Sequence, residues 1–476
     1  MAGSRPLGDR ASGSRKHRWL RGRRLVLPGA ILTQGLALLR NMLVARLLGP
    51  EQFGTAAALL LASQFLDAAL DSGLNKFVLS DQHGARRSVA ATVQYVAIVR
   101  GVTASLMILL FAKPLLRFLE IDLDTTAVAL LACSPLIVAG FHYDIVRFQK
   151  AGHLGFDSTT QVAGEVCGLV VAVTVAFLTA SYISVLAGWI ARSIAQVTAS
   201  HLMANRKYEV KLSRYIVARI IRYSTPLLIN GPLLFLSVQA DRATIAKLLG
   251  PADLGVYAAA LILVSSPSAV VIRAIGATYL PIISSAKLLP GAFEESKNQI
   301  RALAVAGSLL IMTTFSSLGP TAVSLIFGAK YHTSAGVISS IAVIQGMRFA
   351  RVWPSGISLA TGRTTLELIS NFLRLAGIPL AVIFVHLGYA LEGLLIGVAL
   401  GEALALGISS FLLSDAAEAP STLVSLMSLV FVAISCVASA IYSPWIQSIG
   451  PLTAFILAIG FVIVPALSAV RRLWSD

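Results

Sequence analysis

The stretch Ala45-Arg46-Leu47-Leu48-Gly49-Pro50-Glu51-Gln52-Phe53-Gly54 returns as Ala246-Lys247-Leu248-Leu249-Gly250-Pro251-Ala252-Asp253-Leu254-Gly255, and each copy joins two long apolar runs. The match continues past the turn, where Ala57-Ala58 recurs as Ala258-Ala259 in the same register. Glycine tolerates turn geometry and proline cannot continue the preceding helix, so each Gly-Pro pair closes a helix and turns the chain back. The chain therefore reads as an internally duplicated bundle of membrane helices. Duplications of this kind characterise transporters, whose substrate site lies between the repeats.

Composition supports a bilayer setting. Of 476 residues, 56% are hydrophobic and 13% charged, with a mean hydropathy of +0.81, which leaves too little polar surface to coat a soluble globule. A spanning helix needs about 20 mostly apolar residues, and about fourteen such runs are present. They fall near 25–47, 54–78, 90–112, 124–146, 160–180, 182–204, 216–246, 254–279, 301–327, 335–353, 365–386, 389–412, 422–443 and 450–470. Barrel strands would alternate apolar and polar at every second residue, which these runs do not.

The formal net charge of +16 raises nucleic acid as a partner, but the basic residues follow membrane topology instead. Arg15-Lys16-His17-Arg18 and Arg21, Arg23 and Arg24 precede the first run, which puts the N-terminus in the cytoplasm by the positive-inside rule. Alternate connections are then basic: Arg86-Arg87, Arg147 with Lys150, the cluster of Arg206, Lys207, Lys211, Arg214, Arg219 and Arg222, then Lys287 and Lys297, Arg363, and Arg471-Arg472. No nucleic-acid partner is expected; the basic tail is a topology determinant in contact with anionic lipid.

The repeated turn follows span 1 and again span 7, so the duplicated unit is six helices long. Six is even, and the two copies should share one orientation, related by an axis along the membrane normal. The predicted fold is an all-α integral membrane protein of about fourteen transmembrane helices. A basic cytoplasmic tail covers 1–24, an N-lobe 25–204, a C-lobe 216–412, two appended helices 422–470, and a cytoplasmic C-terminus 471–476. Prolines inside the spans, such as Pro135, Pro226 and Pro354, are candidate bends or tolerated kinks.

Ionisable residues at membrane depth carry the chemistry, because each costs roughly 2.5–3.5 kcal/mol to insert. Arg242, Arg40, Arg100, Arg192, Arg273 and Arg374, with Asp241, are the candidate lining of a substrate cavity. A surplus of arginine favours an anionic cargo, since guanidinium grips phosphate or carboxylate bidentately and keeps its charge. The alternative for each arginine is a cross-link between helices or a snorkelled head. Aligning the repeats sets Arg40 against Asp241 and Asn41 against Arg242. The acids at depth, chiefly Asp67 and Asp71 one turn apart, Glu165 and Glu402, are candidates for ion coupling; proton, sodium and no ion all remain open. Cys133, Cys167 and Cys436 are far apart and imply neither a disulfide framework nor a metal site. No phosphate-binding loop, nucleophile elbow or zinc-protease motif is present, so neither an enzyme nor a cofactor is expected.

The Ala45–Gly54 segment, Gln239-Ala240-Asp241-Arg242 leading into the second Leu-Leu-Gly-Pro, Leu325-Ile326-Phe327-Gly328-Ala329-Lys330-Tyr331, and Gly388-Tyr389-Ala390-Leu391-Glu392-Gly393 resemble Wzx-type polysaccharide flippases. These form part of the polysaccharide transporter family within the multidrug/oligosaccharidyl-lipid/polysaccharide (MOP) superfamily. The resemblance covers nearly the whole chain. It implies two six-helix lobes in a V around a cationic cavity, alternating access, and flipping of undecaprenyl-diphosphate-linked oligosaccharide from the cytoplasmic to the periplasmic leaflet of a bacterial inner membrane. It also implies membrane lipids as partners, a polysaccharide polymerase and co-polymerase downstream, and a monomeric transporter. The long basic N-terminal extension and the last helix pair depart from what the resemblance explains. Two competing classes are a multidrug-type cation antiporter, which should be lined by acids and aromatics, and a membrane-embedded glycosyltransferase or polymerase, which should present a large extramembrane loop.

Overall fold

The computed structural model describes residues 9–70, 72–121, 125–286, 290–361, 363–414 and 419–442, and all regular structure among them is helical. Asp71, Lys287, the expected span over 450–470 and the C-terminal Arg471-Arg472 lie outside the described residues.

In chain order the helices are α1 (Asp9–Leu48), α2 (Pro50–Ala69), α3 (Leu74–Ser80), α4 (Arg87–Phe118), α5 (Thr125–Ala139), α6 (Asp144–Lys150), α7 (Gly155–Thr179) and α8 (Ile183–Leu202). There follow α9 (Arg214–Leu248), α10 (Pro251–Ala286), α11 (Pro290–Phe327), α12 (Ala335–Ala350), α13 (Val352–Thr361), α14 (Thr364–Leu375), α15 (Gly377–Phe384), α16 (Ala390–Leu413) and α17 (Ala419–Tyr442). The basic tail from Asp9 onward continues the helix of the first span without a break.

Among the described residues seven segments are long and apolar enough to cross a membrane, or nine if the bent pairs α2–α3 and α5–α6 each form one crossing. One of the seven, Thr365–Leu413, takes in two expected spans together. The expected spans over 182–204, 216–246 and 335–353 are helical as well. They are not among the seven: α8 carries Arg192 and Gln196, α9 carries Arg219, Arg222, Asn230 and Asp241-Arg242, and α12 has only 16 residues.

Both repeat turns adopt one backbone form. Gly49 and Gly250 have φ of +83° and +87°, a left-handed conformation that costs glycine nothing. Pro50 and Pro251 then open α2 and α10, where the missing N–H would have had no partner and the fixed φ suits a first helical turn. The carbonyls of Gly49 and Gly250 accept from the N–H groups of Phe53 and Leu254, at 3.1 and 3.2 Å. The two copies also meet. A Cβ added at Gly54 would fall inside contact distance of the Pro251 carbonyl, and one at Gly255 would do the same to the Pro50 carbonyl. The first turns of α2 and α10 thus cross backbone to backbone through reciprocal glycines. Phe53 packs edge-on against Tyr331, with ring centroids 6.3 Å apart, so two of the stretches that carry the family resemblance lie against each other.

The helices group into two compact units. Unit 1 comprises Met1–Leu48 and Leu59–Leu233; unit 2 comprises Gly49–Ala58 and Leu234–Asp476. In unit 1, α7 packs on α1 and α8, and α5 on α4 and α8; Leu59, Ile108, Leu116, Leu131 and Leu186 form one core cluster there. α5 breaks after Ala139 and bends by 58° into α6. In unit 2, α11 and α12 pack on each other and on α17, and α12 also packs on α16; Leu309, Met312, Val343, Met347, Leu406 and Val432 fill the space between these helices.

Candidate functional site

In unit 1 three of the predicted polar residues come together on one buried carboxylate. Glu165 on α7, with 2% of its side chain exposed, accepts from Arg40 Nη1 of α1 at 2.7 Å and lies 3.1 Å from Arg192 Nε of α8. The sequence permits this because Gly168 sits one turn beyond Glu165 and leaves room for both arginines. A Cβ there would be 3.1 Å from Arg192 Cβ and 3.4 Å from Arg40 Nη1; small residues of this kind let membrane helices approach closely. Arg192 also lines a cavity of about 260 Å³ with Asp67, Arg100 and Trp189. The Trp189 Nε1–H donates to Ser134 Oγ at 2.8 Å, which fixes the ring, and the Arg192 guanidinium lies 5.7 Å from its centroid.

Unit 2 holds the larger network, centred on Glu402 of α16, whose side chain is fully buried. Arg348 Nε donates to Glu402 Oε1 at 2.6 Å, Arg374 Nε lies 2.6 Å from the same oxygen, and Arg351 Nη1 is 3.4 Å from Oε2. Arg348 extends the network to α9, donating from Nη2 to Asp241 Oδ2 at 2.8 Å, and Tyr257 Oη donates to that same oxygen at 2.7 Å. Arg351 Nη2 donates to Asn371 Oδ1 at 2.9 Å and is 3.9 Å from Glu367. The local sequence again makes room. A Cβ at Gly401 would lie 2.6 Å from the Arg374 carbonyl and 2.7 Å from Gly377 Cα, so α14 and α16 approach at backbone distance beside Glu402.

Arg242 takes a different position from its neighbour. Its backbone N–H donates to Asp241 Oδ1 at 2.8 Å, while its buried Nε has no hydrogen-bond partner among the described residues, as is true of Arg351 Nε. The carboxylate of Asp241 is taken by Arg348 instead. Arg40 and Asp241, aligned by the repeat, therefore each enter a separate network, one in unit 1 and one in unit 2. Arg273 lies on α10, and its side chain, like Asp71, is outside the described residues.

Arg348 and Arg351 escaped the sequence reading, although each bonds two partners in this network. They occupy the end of an expected span, where basic residues are ordinary boundary markers. The available signal is their spacing, i and i+3 on one helix face. In unit 1 the guanidinium groups of Arg40 and Arg192 share the one carboxylate of Glu165, and in unit 2 those of Arg348, Arg351 and Arg374 share Glu402, with Arg348 also reaching Asp241 and Arg351 also reaching Glu367. A buried carboxylate ringed this way is satisfied, whereas a guanidinium donor left over can serve an anionic ligand.

The family described as polysaccharide biosynthesis protein matches residues 43–336. The succinoglycan biosynthesis transport protein ExoT of Rhizobium meliloti (strain 1021) is 24% identical over 319 residues, which cover 66% of this chain and 64% of ExoT; the chain thus spans somewhat under two thirds of that relative's length. Among solved structures, the lipid II flippase MurJ in an inward closed conformation superposes with a TM-score of 0.66 at 11% identity, covering 90% of this chain and 96% of MurJ. An inward-facing multidrug resistance MATE family transporter of the MOP superfamily gives 0.65 at 16% identity, over 84% and 96% of the two chains. A MOP superfamily transporter from Pyrococcus furiosus, described as having reverse polarity in its binding pocket, gives 0.58 at 16% identity, over 87% and 96%.

Proposed function

This chain belongs to the polysaccharide biosynthesis protein family, and we propose that it is a multi-pass transporter of the MOP superfamily, not an enzyme, which flips undecaprenyl-diphosphate-linked oligosaccharide across a bacterial inner membrane. Both termini are cytoplasmic in this reading, the lobes over 25–204 and 216–412 alternate access to a shared cationic path, and a polysaccharide polymerase and co-polymerase take up the product.

The observation that carries the proposal is the buried Arg242 Nε, which has no acceptor among the described residues beside a network that already satisfies its own carboxylates. An unused guanidinium donor at depth is costly unless something oxygen-rich visits it. A diphosphate supplies planar, bidentate acceptors with negative charge, which is the geometry guanidinium matches best. Two of the acids expected to couple ions, Glu165 and Glu402, have their oxygens taken by arginines, which supports an anionic cargo over a cationic one.

The test is the lipid-linked saccharide pool of cells lacking the gene, measured by mass spectrometry with assignment to a leaflet. One diphosphate-linked repeat unit should build up on the cytoplasmic side. Complementation with Arg242→Gln should leave protein abundance and melting unchanged but cut transport about ten-fold or more, given about 1.5–3 kcal/mol for each hydrogen bond to a charged group. An unchanged pool together with efflux of cationic dyes would replace this reading with the antiporter.

A further inference from the structure

Unit 1 contains a second polar cavity that plays no part in the arginine–glutamate networks. It has a volume of about 390 Å³ and lies between the start of α4, the break between α5 and α6, and the irregular stretch after α8; Arg87, Gln94, Asp144, Arg206, Lys207 and Tyr208 line it.

The walls are fixed by bonds to the backbone. Asn205 N–H donates to Asp144 Oδ2 at 2.9 Å, Arg206 Nη1 to the Ala85 carbonyl at 2.7 Å, and Lys211 N–H to the Ala91 carbonyl at 3.2 Å. His142 adds another tie. Its Nδ1 accepts from the Asp144 N–H at 3.1 Å, so Nε2 carries the proton and donates to the Arg206 carbonyl at 3.1 Å. The loop that presents Arg206 and Lys207 is therefore held in place before any ligand arrives, which removes ordering entropy from the cost of binding.

The charges inside do not cancel. Asp144 is engaged by Arg147 through both carboxylate oxygens, and Glu209 accepts from Lys211 at 2.8 Å. Arg87 and Lys207 make no ion pair within 4 Å among the described residues, although both add to the Lys211 hydrogen bond in holding the Glu209 carboxyl below its ordinary value, and they share the cavity with Arg206, whose Nε is 3.9 Å from Asp144 Oδ1. Burial holds the Arg206 guanidinium below its ordinary value, and repulsion from Arg147 and Arg87 adds to this, partly offset by Asp144. Three cations held around one cavity by backbone ties repel each other, and an anion between them relieves that repulsion.

The stretch from Lys207 to Ser213 carries no regular secondary structure. Tyr208, Val210 and Leu212 alternate with Lys207, Glu209 and Lys211 along it. Val210 and Leu212 are 44% and 57% exposed, and Tyr215 just beyond is 73% exposed. Apolar and aromatic side chains standing out beside a basic pocket suit the headgroup level of a bilayer.

We infer that this cavity is a phosphate-binding site, and that the phosphate is the headgroup of an anionic phospholipid in the leaflet that the exposed Val210, Leu212 and Tyr215 enter. It is separate from the transport networks and does not depend on what they carry. Basic pockets at the ends of membrane helices bind such headgroups, with each nearby cation adding to affinity.

The experiment is native mass spectrometry of the full-length protein in neutral detergent, equilibrated with phosphatidylglycerol, with phosphatidylcholine or with inorganic diphosphate. Phosphatidylglycerol should be retained in preference to phosphatidylcholine, and retention should fall about ten-fold or more in the double variant Arg87→Gln/Lys207→Gln. Arg222→Gln, which removes an exposed charge elsewhere on the same chain, should leave it unchanged. Arg87→Lys should retain binding, and in the parent protein raising salt should weaken it steeply; neither measurement depends on the double variant folding. Retention of inorganic diphosphate with displacement of the lipid would support the phosphate site and assign it to a soluble source. Equal retention by the double variant and the parent, or no preference for phosphatidylglycerol with no diphosphate bound, would overturn it.

Discussion

Glu402 shows what a buried carboxylate does when three guanidinium groups share it. Taking one partner out of a buried ionic network leaves the others desolvated and unpaired, at a cost of about 3–5 kcal/mol. Glu402→Gln should therefore lower the melting temperature of the purified protein clearly, and more than the loss of an exposed charge such as Arg222→Gln. A variant that melts within a degree or two of the parent would mean the three arginines find other acceptors. The arginines at depth were legible in the sequence because a charge inside an apolar run stands out. Their partners were not, because the pairing is nonlocal: Arg40 reaches Glu165 across 125 residues and Arg348 reaches Asp241 across 107. Arg348 and Arg351 were hidden by their place at a helix end, where the same residue type has an ordinary topological role.

Between elements, the decisive contact is the crossing of α2 and α10 at Gly54 and Gly255. Each glycine faces a carbonyl of the other helix, which cannot swing aside as a side chain would. Gly54→Ala and Gly255→Ala should each destabilise by about 1–3 kcal/mol through overpacking. Once one methyl has forced the helices apart, the second costs less, so the double variant should fall short of the sum. Strict additivity in a double-mutant cycle would show that the two sites relax independently. The repeat that locates this crossing was readable from ten residues, because Gly-Pro at the junction of two apolar runs dictates a turn in each copy. The sequence did not reveal the 58° bend between α5 and α6 or the break at Gly388, with φ of +93°. Such bends are set by the neighbours a helix packs against and not by its own residue pattern.

For the whole molecule, composition alone fixed the class: a chain this apolar and this free of alternation is a helical membrane protein. About fourteen apolar runs are expected from the sequence, whereas among the described residues seven to nine segments are long and apolar enough to cross a membrane. Unit 2 includes Gly49–Ala58, whereas its remaining residues begin at Leu234. A chain cut between α8 and α9 thus yields a C-terminal fragment without the segment that supplies Phe53 and Gly54. That fragment expressed alone should be degraded or aggregate, and should be recovered when residues 1–207 are supplied on a second plasmid; stable accumulation of the C-terminal fragment by itself would count against this. The reciprocal glycines give the same feature a historical meaning. Whatever ancestral gene was doubled, its copies have exchanged a piece, and neither copy now encodes a finished body. Loss of either one would leave the other incomplete, so the duplication has become irreversible.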